Sequence, residues 1–223
     1  AAELLADAPD DAPAFLWAHV YDAHEPLTPP AEFAARHADA YLAEVAYADA
    51  HVGRIIDAFE ARSDRPWLVV VVGDHGEGRG EHGEATHGQL VYRSTMRVPL
   101  LVAGDGVAAE VRPGPASVVD VAPTLVRAAG LEPAGGLDGM SLLDGAGSDP
   151  LRRVYGESWH QRYSLGLAQL HVWQDGSQRY IHAPRDELSD WVQDPGELHD
   201  LGLDPAGALP RWQEETRRWM RDR

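Results

Sequence analysis

The chain has 223 residues, enough for one α/β domain with a sizeable core, or one domain and a small appendage. Its 36 acidic residues outnumber 19 basic ones, all Arg, and the net charge of −17 would repel a phosphate backbone, so no nucleic-acid partner is expected. The absence of Cys excludes disulfides, thiolate metal sites and a cysteine nucleophile, and assigns no compartment.

Two readings compete for the acid excess: solubility for most of the carboxylates, and a cation held by a few of them. The longest apolar run, residues 67–72, is too short to cross a bilayer, so no membrane segment is expected. The start of the chain lacks the basic and apolar regions of a signal peptide.

In chain order, the first dozen residues read as linker. Residues 14–20 (AFLWAHV) form an apolar run of strand length, followed by the loop Tyr21-Asp22-Ala23-His24-Glu25-Pro26. From about 37 to 62, Leu42, Val45, Ala48, Val52, Ile55, Ile56 and Phe59 recur at helical spacing, and Pro66 follows the stop. Residues 67–72 (WLVVVV) do not alternate, a pattern that predicts a strand buried on both faces of a parallel sheet. Residues 73–88 are a glycine-rich loop, residues 98–103 a third strand, and residues 117–129 a helix stopped by Gly130. This alternation predicts an α/β fold with a doubly wound, mostly parallel sheet. After about Gly145 come short strands at 167–173 and 178–182 around Asp175-Gly176, then a helix over about 207–221. The expected division is residues 1–145 and a small C-terminal α+β subdomain at 146–223.

Ligands of open α/β sheets bind outside the carboxyl ends of the strands. Two polar clusters fall there, Asp22 with His24 and Asp74 with His75. Adjacent oxygen and nitrogen donors at a strand tip suit a divalent cation, while His24 and His87 suit an anionic substrate or general acid chemistry. The bland alternative for Asp74-His75 is a satisfied turn. His51, His160, His171, His182 and His199 read as structural, and His82 as either.

The stretch Asp74-His75-Gly76-Glu77-Gly78-x-Gly80-Glu81-His82-Gly83, then His87-Gly88 and Tyr92-x-x-x-x-Arg97-Val98-Pro99-Leu100, resembles the sulfatase family of the alkaline phosphatase superfamily. Asp22-Ala23-His24-Glu25-Pro26, Glu44 to Asp49, Val119 to Leu125, Asp138 to Leu142 and Glu187 to Glu197 are similar in order and spacing. The resemblance implies an alkaline phosphatase-like fold and a small-molecule or glycan sulfate ester as substrate. It implies that Asp74 and His75 bind the catalytic cation, calcium in many members, with His at 75 leaving zinc or manganese open. His24 would contact the transferred group or protonate the leaving alcohol. His87 stands where many members have Lys, and would face the same ester oxygen or a second metal. Arg93 and Arg97 are candidate anion contacts beside surface and packing roles.

The family's nucleophile, made from Cys or Ser in a Cys/Ser-x-Pro-x-Arg motif, has no counterpart in these 223 residues, nor does its paired Asp-Asp at a strand end. The expectation is therefore a chain inactive by itself: a truncation lacking an N-terminal half, a chain completed by a partner, or a protein that has lost catalysis. Truncation is favoured by the linker-like start, and predicts marginal stability in isolation. Two rivals stand beside the sulfatase reading. One is a phosphodiesterase, phosphonate hydrolase or phosphoethanolamine transferase of the same superfamily; the other is a non-catalytic binding module.

Overall fold

The computed structural model describes residues 12–61, 65–132, 135–145, 147–203 and 207–222. The linker read at the first eleven positions, Asp10-Asp11 included, and the expected helix stop at 62–64 lie outside them. The chain divides into two compact units, Ala1–Val69 and Val70–Arg223.

In the first unit, the short helix α1 (Ala31–Ala34) is followed by α2 (Ala40–Glu60). Asp39 caps α2, its carboxylate accepting from the Tyr41 and Leu42 N–H groups, which sets the start three residues later than the apolar pattern did. The helix turns a buried carboxylate toward the preceding loop. Glu44, 5% exposed, accepts from the Ala23 N–H at 3.0 Å and the Thr28 N–H at 2.6 Å. Residues 14–20, expected as a strand, have no regular structure. A strand exists only by virtue of a hydrogen-bonded neighbour. Here the alternation survives only in exposure, with Phe15 and Trp17 74% and 84% exposed.

The division between units falls inside β1 (Leu68–Val72), which forms a two-stranded sheet with β2 (Leu100–Gly104). The continuous Val run predicted burial on both faces. In a two-stranded sheet both strands are edges, and Val72 and Leu101 are 37% and 58% exposed. The short helix α3 (Arg93–Met96) lies between these strands in sequence. A 3₁₀ turn at Val118–Asp120 feeds α4 (Val121–Ala128), with Ser117 and Asp120 forming a reciprocal capping box. Gly130, at φ 69°, ends it as expected.

The C-terminal region is an antiparallel sheet in chain order, β3 (Arg153–Ser158), β4 (Leu170–Asp175), β5 (Gln178–His182) and β6 (Glu187–Asp190). The β4–β5 hairpin turns at Gly176, φ 57°. The strand expected from residue 167 starts at Leu170, because α5 (His160–Leu165) ends at Gly166 in the left-handed region and Leu167 N–H closes back on Gln161 O at 3.0 Å. Strands β3 and β6 were missed by the sequence reading.

Period-2 patterning gives this sheet two apolar faces. On one face Trp173, Tyr180 and Leu188 pack against Trp212 of α6 (Leu209–Arg221), together with Tyr155 and Trp219. On the other, Val172 and Ile181 pack against Val91, Tyr92 and Met96, the segment that carries α3. Among the described residues no helix is long and apolar enough to cross a membrane.

Candidate functional site

The loop after β1 is built by close backbone contacts that only glycine permits. Gly76 N–H donates to Thr95 O at 2.7 Å, and a Cβ at position 76 would stand 2.3 Å from Ser94 O. Gly78 N–H donates to Thr86 O at 2.6 Å, and a Cβ there would meet the same oxygen at 2.3 Å. Ahead of these fixed points Asp74 and His75 turn at the strand tip. Asp74 Oδ1 accepts the His75 N–H at 3.0 Å, while Oδ2 lies 3.7 Å from His75 Nε2. His75 Nδ1 lies 2.9 Å from Gly76 O, an acceptor, so in the neutral ring Nδ1 carries the proton and Nε2 the lone pair.

That pair fits two ligand positions around one cation. Donors about 2.1 Å from a metal and separated by about 90–120° stand roughly 3.0–3.6 Å apart, and the longer bonds to calcium widen this, so 3.7 Å needs little adjustment. The set is incomplete: among the described residues, no group of three His, Cys, Asp or Glu side chains is placed to hold a metal ion.

His87 joins this pair. Its ring stacks on His75 with centroids 4.0 Å apart and planes at 26°. Its Nδ1 lies 3.2 Å from both carboxylate oxygens of Glu77. Asp74 and His75 border a cleft of about 860 Å³ whose lining also includes Arg93, Arg97, Val98 and Trp191. Arg93 sits over the Trp191 ring, 5.3 Å from its centroid, and its Nη1 donates to Trp191 O. His24 belongs to the first unit, where it stacks on Tyr21 at 4.6 Å and places Nδ1 2.7 Å from Glu25 O. The Glu44 carboxylate holds the loop around it through Ala23 and Thr28.

The C-terminal sheet buttresses the site loop. His82 stacks on Tyr92 at 3.6 Å and its Nε2 lies 2.9 Å from Gly196 O, so this His packs rather than lying free in the loop. Tyr92 OH donates to Glu187 at 2.7 Å; burial and then the Glu187 carboxylate push the phenol well above its ordinary range and keep it a donor. Glu197 accepts the Arg93 N–H at 2.6 Å and sits 2.8 Å from the buried Arg179 Nε, a close ion pair whose N–H is poorly aligned. Sequence reasoning missed Glu77, Glu187 and Arg179. Glu77 could have been found from its place between two glycines in the loop. Arg179 carries no local signal for its ion pair, because the Glu197 carboxylate lies beyond the next strand and the Val91 carbonyl it also reaches is 88 residues away.

The likeness to solved structures shows an alkaline phosphatase-like α/β fold. The putative sulfatase yidJ from Bacteroides fragilis superimposes with a TM-score of 0.69 over 82% of this chain and 42% of that chain, at 19% identity. A phosphonate monoester hydrolase from Silicibacter pomeroyi gives 0.64 over 82% of this chain and 40% of that chain, at 23% identity. The sulfatase family profile matches residues 1–131, and the chain belongs to the sulfatase family. It is 31% identical over 180 residues to a choline-sulfatase of Rhizobium meliloti (strain 1021), covering 76% of this chain and 34% of that relative. The chain thus spans about a third of the length of the curated relatives it matches.

Proposed function

We propose that this chain carries part of the active site of a metal-dependent sulfate ester hydrolase. The observation that carries the reading is the strand-tip pair, Asp74 Oδ2 and His75 Nε2 at 3.7 Å, with His87 stacked on the second ligand. In this reading Asp74 and His75 hold a divalent cation, calcium with zinc or manganese as the alternatives, and the other ligands lie outside the described residues. When bound, the cation would stabilise negative charge developing on the ester oxygens. His87 attends the substrate through its ring edge, and His24 contacts the transferred group or protonates the leaving alcohol. The nucleophile is also supplied from outside this sequence, which has no Cys and no Ser-x-Pro-x-Arg; the 223 residues alone are therefore expected to be inactive.

A second reading is phosphoryl or phosphonate ester hydrolysis. It is favoured by the likeness to the phosphonate monoester hydrolase and by the nitrogen donors at 75 and 87.

The test uses the protein that contains this chain. Turnover of 4-nitrophenyl sulfate is compared with that of 4-nitrophenyl phosphate, and bound metal is measured by mass spectrometry. Asp74→Ala should lower metal occupancy and reduce the rate by more than the roughly 10–100-fold typical of losing an outer-shell partner. Unchanged metal content and rate in Asp74→Ala would remove the site assignment. Preference for phosphate would install the second reading, and no turnover of either ester would favour a binding module.

A further inference from the structure

The loop after β1 buries a carboxylate beside a site imidazole. The Glu77 side chain is 8% exposed and that of His87 23%, and the two Glu77 oxygens straddle His87 Nδ1 at 3.2 Å each. An ionised carboxylate accepts and cannot donate, so it selects the ring form with its proton on Nδ1 and leaves Nε2 as the reactive nitrogen. The backbone on either side of Glu77 is anchored, through Gly76 N–H to Thr95 O and Gly78 N–H to Thr86 O. Neither glycine accepts a Cβ without displacing backbone, so the carboxylate is held by the loop rather than by chance of rotamer. The His75 ring, stacked at 4.0 Å, sets the second constraint by fixing the plane in which His87 lies.

We propose that Glu77 is the positioning residue of His87: it holds the imidazole with Nδ1–H toward itself and presents Nε2 to the substrate. A carboxylate oriented on the far nitrogen of a working imidazole supplies geometry and the correct ring form without touching substrate. What His87 then does to an ester rests on the sulfatase reading. The ring form does not.

The experiment has two arms. Long-range ¹H–¹⁵N correlation on the His-labelled 223-residue chain, with the ring neutral, should show His87 protonated at Nδ1. Glu77→Gln, whose amide can donate, should move the proton to Nε2 or give a mixture, while far-ultraviolet circular dichroism stays unchanged. In the protein that contains this chain, Glu77→Gln should lower kcat about 10–100-fold with KM within about threefold, and Glu77→Asp should recover most of the rate. Protonation at Nε2 in the wild type, or an unchanged ring form in Glu77→Gln, overturns the proposal. So does a lost ring form with full kcat. If the wild-type protein hydrolyses neither ester, the proposed function fails while the spectroscopic arm still decides the role of Glu77.

Discussion

Removing Arg152 should cost far more than any exposed arginine, because of what it would leave behind. The Asp120 side chain is 0% exposed and that of Arg152 14%, and they meet as a two-pronged pair, Nη1 to Oδ2 at 2.6 Å and Nη2 to Oδ1 at 2.7 Å. The Ser117 and Met140 N–H groups complete the shell at 2.8 and 2.9 Å. Burial pushes the Asp120 carboxyl up, yet the Arg152 guanidinium and the two backbone donors outweigh it and hold the group below the usual carboxylate range. Arg152→Ala leaves that carboxylate with its N–H donors but no counter-charge, a situation that costs about 3–5 kcal/mol. Arg127→Ala is the control. Its partner Asp144 lies at 3.2 Å, and the two side chains are 59% and 55% exposed, so the loss should stay within about 1 kcal/mol. Urea unfolding of the three chains reads the difference as a shift in midpoint at constant slope. The linkage has a defined sign. A depressed carboxyl contributes stability above its unfolded pKa of about 3.9 and loses it as pH falls through the folded value, so the wild-type advantage over Arg152→Ala should shrink in acid. An Arg152→Ala midpoint no lower than that of Arg127→Ala would refute the reasoning.

Two further predictions concern the buried imidazole of the C-terminal sheet and a glycine of the site loop. The neutral form of His171, 4% exposed, is favoured because burial pushes the ring down, against the partly opposing Glu157 carboxylate and in concert with His182. The unfolded chain therefore binds the extra proton first, and stability should fall as pH drops below about 6.5, levelling off below the folded value. Denaturant midpoints measured across that window should flatten in His171→Phe, and an identical slope in both proteins would exclude the group. Gly76→Ala places a methyl 2.3 Å from Ser94 O, so the loop must shift, at about 1–3 kcal/mol of strain. Manganese or calcium titration should show weaker binding in this variant than in the wild type, and unchanged affinity would detach the loop geometry from the site.

Elements whose signal is local were legible, and those that depend on a distant neighbour were not. Helix α2, the β4–β5 hairpin and α6 follow from apolar period and turn chemistry within a few residues. Strand β3 was missed because Gly156 interrupts its pattern; a Cβ there would strike Met96, a residue 60 positions earlier. Strand β6 was missed because only four residues pair, and their burial comes from both faces of a sheet formed elsewhere. Residues 14–20 fail in the opposite sense: the apolar run is real, but pairing is a property of two segments and cannot be read from one. In the site, Asp74, His75 and His87 were legible as chemically suited groups near a strand end. The stacking of His87 on His75 and its tie to Glu77 required the path of the intervening glycine loop.

The acid excess acquires a third meaning from these contacts. The sequence left a choice between solubility and cation binding, yet several carboxylates are buried and spend their lone pairs on backbone N–H groups. Glu44 takes Ala23 and Thr28, Glu84 takes Gln89 and Leu90, Asp120 takes Ser117 and Met140, and Glu197 takes Arg93. Except for Arg93, which opens α3, these donors lie in irregular chain that has no ladder to satisfy them, where an unpaired buried N–H would cost about 1–3 kcal/mol. An ionised carboxylate can close two such donors at once, through both oxygens in Glu44 and Asp120 and through Oε1 alone in Glu84. Glu44 holds the loop that carries His24, and Glu84 and Glu197 hold donors inside the 74–97 stretch. Neutralising them as amides should therefore loosen these segments before it unfolds the sheet, with hydrogen exchange rising first at Ala23, Gln89 and Arg93 and last in β4 and β5.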